Sequence, residues 1–134
     1  MSDWIKVYDL AEDHETIRQG QEATQTSEFF GAEPEIALIG TDEWWQAIEE
    51  GQMARHTICG VISRVYMAGH GDWPEFEVDV LGEKSRWTRL GPDELYRIGN
   101  EVKIEYISEK LKPHWGSREI KLTLRILIKP VADR

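Results

Sequence analysis

One cysteine, Cys59, stands in a chain of 134 residues, so no disulfide can form within it and nothing calls for an oxidising compartment. No uninterrupted apolar run approaches the roughly 20 residues that span a bilayer, which argues against a membrane role. The opening Met1-Ser2-Asp3-Trp4-Ile5-Lys6 lacks the basic start and apolar run of a secretory signal, and the cytoplasm is the expected compartment. Equally missing are a phosphate-binding glycine loop, a nucleophile elbow and a helical His-Glu zinc signature. His56 and Cys59, three apart on a predicted strand, point to opposite faces and cannot share an ion. His70-Gly71-Asp72 offers two metal ligands with nothing nearby in sequence to complete a set, and with His114 it makes only a thin proton relay. No catalytic residue, metal or cofactor is assigned, and an enzyme is not expected.

What is present is the composition of one folded domain: 40% apolar and 31% charged residues, enough for a single sizeable core. The net charge of −9 is unevenly spread. Residues 1–50 carry 13 carboxylates against Lys6 and Arg18, a net of −11, whereas residues 51–134 sum to +2. Such a split points to an acidic arm meeting something basic, either its own body or a partner. The plainer account is that the carboxylates only keep a surface soluble.

Along the chain, Trp4-Ile5-Lys6-Val7-Tyr8 reads as a short strand, Asp9 to Gln19 as a helical turn or two with Leu10 and Ile17 inward, and Gln19 to Ser27 as a loop. Phe29 and Phe30 are placed as anchors of this arm. A short helix is predicted over 41–50: Thr41 can cap it, Asp42 and Glu43 suit the positive end of its dipole, and Gly51 can end it. Trp44, Ala47 and Ile48 share one face of that helix.

From Arg55 the period changes to two. His56 to Met67 forms one long strand with Gly60 as a bulge or bend. Phe76, Val78 and Val80 alternate with carboxylates, as do Val102, Ile104 and Tyr106 with Glu101, Lys103 and Glu105, and Ile120 to Ile128 follows the same rule. Lys84 to Leu90 is a fifth strand, followed by a helical turn at Pro92 to Tyr96. Five strands in this order, with the insert between the third and fourth, resemble the OB fold over residues 55–129, and an SH3-like barrel is the alternative architecture. The predicted protein is therefore mainly β: an acidic arm with a short helix over 1–50, packed on a five-stranded antiparallel barrel over 51–134.

The OB resemblance implies that two loops flank the binding face. One carries His70 and Trp73, the other His114, Trp115 and Arg118, so these residues would line a common cleft; the competing reading makes each Trp a lid on an open barrel end. The wet face adds Tyr66, Trp87 and Arg89, together with Arg64, Arg86, Lys103, Lys121 and Arg125. Cations interleaved with rings suit single-stranded nucleic acid, but Glu75, Glu77, Asp79, Glu101 and Glu105 on the same face would repel phosphate. The leading expectation is a non-enzymatic protein-binding module whose Phe29, Phe30, Trp44 and Trp45, set among carboxylates, dock a basic partner or a second copy. An inhibitor or immunity-type protein is its concrete form. The alternatives are a single-stranded nucleic-acid binder gated by the acidic arm and a small-molecule or sugar binder using the Trp loops.

Overall fold

A computed structural model describes residues 3–26, 39–66, 74–110 and 119–131. The elements in chain order are β1 (Ile5–Asp9), a 3-10 turn (Leu10–Glu12), α1 (His14–Thr26), α2 (Asp42–Glu49), β2 (His56–Tyr66), β3 (Glu75–Val80), β4 (Glu83–Thr88), β5 (Glu101–Lys110) and β6 (Glu119–Lys129). The chain divides into two compact units: Met1–Tyr8, Thr57–Glu105 and Arg125–Arg134 in the first, Asp9–His56 and Tyr106–Leu124 in the second.

The first unit is built on a sheet whose order is β1-β6-β5-β2-β3-β4. The five strands expected of the barrel are β2 to β6, and the short strand expected over Trp4 to Tyr8, observed as β1, joins them as a sixth at the edge beside β6. The run β5-β2-β3-β4 is a Greek key: three strands in succession, then a fourth that returns beside the first. Among the described residues β1 and β4 do not pair, so the sheet is barrel-like and open.

Alternation dictates the core. Phe76 and Val78 of β3, Val102 and Ile104 of β5, and Ile126 and Ile128 of β6 are all fully buried, joined by Ile62 and by Trp87, which pairs with Phe76 across β3 and β4. Tyr96 closes over Phe76 with ring centroids 4.9 Å apart. Its hydroxyl donates to the Leu90 carbonyl at 2.5 Å and accepts from the Leu90 amide at 3.2 Å, and burial pushes its pKa above the usual phenol value. Asn100, also buried, donates from Nδ2 to the Leu95 carbonyl at 2.9 Å and accepts the Val131 amide at 3.1 Å, tying the β4–β5 connection to the end of β6.

Three local expectations are corrected. The bulge in β2 is at Ser63, where Ile62 opposes Val78 and Arg64 opposes Glu77. Gly60 serves a different need, because a Cβ there would stand 2.6 Å from the Asp79 carbonyl oxygen and 2.7 Å from Val78 Cγ1. Pro92 to Tyr96 forms a single i to i+3 turn, with the Tyr96 amide on the Asp93 carbonyl at 3.1 Å, and is not helical. The burial phase of β5 flips partway: Glu105 and Ile107 are buried while Tyr106 is half-buried, so both faces of this strand are covered in turn.

In the second unit, α1 runs through residues expected to form a loop. Asp13 caps it, accepting from the Thr16 amide at 3.2 Å and the Thr16 hydroxyl at 2.7 Å. Arg18 then pairs with Glu15 and Glu22 one turn away on either side, and its guanidinium holds Glu15 below the usual carboxylate range. Gly20 weakens the helix in isolation but lets it lie against Ile39, 3.3 Å from where a Cβ would be, and Gln21 donates to the Ile39 carbonyl at 2.7 Å. Tertiary contact overrides the loop-forming composition.

Candidate protein-docking face

Helix α2 is positioned at both ends by its own sequence. Thr41 Oγ1 accepts from the Trp44 amide at 3.3 Å, and Asp42 and Glu43 occupy the first turn. At the other end Gly51 takes φ +80°, the Gly51 amide reaches the Ile48 carbonyl and the Gln52 amide the Ala47 carbonyl, the paired bonds of a Schellman stop.

The helix buries Trp44, Ala47 and Ile48, and Trp44 is only 1% exposed. Its other side presents Asp42, Trp45, Gln46 and Glu49 at i, i+3, i+4 and i+7, with Glu43 and Glu50 flanking them. Trp45 is half-buried, its ring edge-on to Trp44 with centroids 4.7 Å apart. The buried indole therefore supports the outer one. Glu49 reaches toward Arg55 at 3.9 Å and Glu50 accepts from Gln46 at 2.9 Å, whereas Asp42 and Glu43 make no ion pair among the described residues. The result is one rigid aromatic ring in a field of carboxylates. Such a face can seat an apolar or cationic side chain on the ring and draw in a basic surface.

Trp44 and Trp45, both expected to anchor a partner, thus divide the work: Trp44 is core and Trp45 has the surface. Phe29 and Phe30, the other expected anchors, lie outside the described residues, as do His70, Trp73, His114, Trp115 and Arg118 of the expected cleft.

The remaining expected ligand residues belong to the first unit and are drawn into its structure. Trp87 is buried and donates from Nε1 to Ser85 Oγ at 2.9 Å. The Arg89 side chain is 7% exposed; its guanidinium bonds the Tyr66 carbonyl at 3.2 Å and Asp93 at 2.9 Å, while Nε has no hydrogen-bond partner among the described residues. Its backbone amide meets the Pro74 carbonyl at 2.8 Å, so one residue holds both Tyr66 and Pro74. The sequence pattern puts both side chains on the wet face, yet the inward register of β4 and the segment after it buries them. Tyr66 is half-buried, with Arg86 3.8 Å and Arg64 4.7 Å from its ring centroid and Glu77 at its hydroxyl. The guanidiniums already occupy the ring that a base would stack on. Carboxylates share this face: Glu75 and Glu77 lie beneath Arg86 and Lys84, and Arg125 bonds Glu105 through both Nε and a terminal nitrogen. The face is laced by opposite charges. Among the described residues no group of His, Cys, Asp and Glu is arranged to hold a metal ion.

Asn100 and Leu81 have no counterpart among the expected site residues. Asn100, set in an Ile-Gly-Asn turn, carried no motif. Leu81, in the turn between β3 and β4, was visible only as a large apolar residue beside a glycine at a hairpin tip.

The family model described as "Immunity protein RhsI2" matches residues 5–126 of this chain. No curated protein matches it.

Proposed function

The chain belongs to the RhsI2 immunity protein family, and on that premise we propose that it neutralises a toxin by laying the outer face of α2 on a basic surface of that toxin. It is a protein-binding module, and on our reading it acts by occupancy without chemistry of its own. The observation that carries the proposal is Trp45, half-buried on the outer side of α2 with Asp42 and Glu49 one turn away on either side, and with Glu43 and Glu50 exposed along the far flank of the same face. An aromatic anchor within a charged surround has the anatomy of an interface, and a field of one sign speeds encounter with a partner of the other. A toxin that handles phosphate-bearing substrates would offer that basic surface, and the carboxylates of α2 would imitate the phosphates. We take the chain to act in the cytoplasm, in keeping with a single free thiol, Cys59, on β2.

The test is a titration of the full chain against purified toxin domains, beginning with those encoded adjacent to its gene, followed by calorimetry. A complex whose association slows steeply with salt, and which Glu43→Lys with Glu49→Lys weakens, supports the proposal. A complex that forms equally well with both charges reversed removes α2 from the interface.

A further inference from the structure

The turn joining β3 to β4 has two central residues, Leu81 at φ +53° and Gly82 at φ +93°. Positive φ at both positions matches the twist of the flanking strands and is the favoured geometry for so short a hairpin. Glycine, asparagine or aspartate ordinarily fills the first position, because a Cβ is disfavoured there and only a short polar side chain recovers a local hydrogen bond. Leu81 can do neither, and it is the sole residue other than glycine with positive φ among those described.

Its side chain is also 102% exposed, the highest of any large hydrophobic among the described residues. The hairpin needs this backbone conformation, but leucine adopts it at a cost that glycine or asparagine avoids and leaves a wholly wet isobutyl group, so the choice of leucine does not serve the fold. The hairpin is secured without it: Val80 opposes Glu83, and the Gly82 amide donates to Asp79 Oδ1 at 2.8 Å. Strain retained where it brings no stability is a sign of function.

We infer that Leu81 is a docking anchor, a rigid apolar knob that enters an apolar pocket on the toxin. The identity of the occupant rests on the function proposed above. The setting suits the role: Asp79, Glu83 and Lys84 beside the turn supply a charged rim, and Val61, opposite Asp79 on β2, is also exposed. A tight turn presents the side chain with little conformational freedom left to lose. The rim carboxylates have the same sign as the outer face of α2, so both surfaces suit a basic protein. A second copy of this chain, at net −9, would bring like charge to the knob.

Leu81→Asn tests this, because asparagine suits the turn and removes the knob. The expected result is a Tm equal to or above that of the unchanged chain, together with a Kd for the purified toxin domain raised at least about tenfold. Leu81→Gly should behave in the same way. An unchanged Kd overturns the inference, and so does a clear fall in Tm for both variants, which would make Leu81 structural. Loss of a chain dimer at unchanged toxin affinity would assign the knob to self-association and also overturn it. If Trp45→Ala abolishes toxin binding while Leu81→Asn does not, the knob fails and the α2 proposal stands. A chain that binds no toxin at all sinks both.

Discussion

Gly91 lies so close to the backbone of Val7 that any side chain at position 91 would overlap the Val7 carbonyl oxygen. Val7 is on β1, at one edge of the sheet, and Gly91 follows β4, at the other. The two edges of the open sheet therefore meet here in a close backbone contact, and among the described residues no ladder of hydrogen bonds joins β1 to β4. Gly91 also takes φ +78°, so glycine is required twice over, for conformation and for space.

Gly91→Ala should accordingly cost about 3 kcal/mol, large for a one-carbon change, because backbone gives way less readily than a side-chain tip. Urea denaturation followed by tryptophan fluorescence measures it. A loss below about 1 kcal/mol would mean that β1 can move away freely.

Asn100→Ala leaves the Leu95 carbonyl and the Val131 amide without their partners in a buried setting. The expected loss is about 2–3 kcal/mol. Amide exchange should quicken at Val131 and the neighbouring end of β6 before it does in β3. Uniform acceleration across the sheet would contradict this order.

Tyr96 makes stability depend on alkaline pH. Its phenol ionises near pH 10 when unfolded and higher when folded, so above that point the unfolded chain binds fewer protons than the native one. Stability from this group is full below about pH 10 and falls as pH rises beyond it, by up to about 1.4 kcal/mol per pH unit. Tyr96→Phe loses about 1 kcal/mol at neutral pH through the Leu90 hydrogen bonds but should show a shallower alkaline decline. Parallel curves for the two proteins between pH 9 and 11 would refute the assignment.

The two adjacent tryptophans should separate cleanly. Trp44→Ala empties a core position and should cost about 3–5 kcal/mol. Trp45→Ala should cost under about 1.5 kcal/mol while raising the Kd for the toxin domain at least about tenfold. Thermal melts paired with calorimetry distinguish them, and equal losses of stability would make Trp45 a core residue as well.

Much of this architecture could be read from patterning. The alternation around Phe76 and Val78, and again around Leu124 and Ile126, marks strands with one buried face. The cap at Thr41 and the stop at Gly51 delimit α2 without reference to anything else. Reading failed where a distant partner decides. Gly20 and two threonines argue for a loop, yet α1 continues because Ile39 and its carbonyl receive Gly20 and Gln21. Trp87 and Arg89 look like a wet-face pair, but the registration of β4 on β3 sets Trp87 against Phe76. Of the docking face, the stripe of Asp42, Trp45 and Glu49 follows from helical spacing alone, whereas the role of Leu81 needed both a backbone angle and an exposure.

The sequence by itself determined the six strands and α2, and the apolar side of β3 and of α2, because those properties depend on neighbours two to four residues away. Tertiary structure alone decided that β1 completes the sheet beside β6, that β5 is covered first on one face and then on the other, and that Leu81 stands free in solvent. Those outcomes depend on which surface is brought up from far along the chain, and no local period encodes the identity of that neighbour.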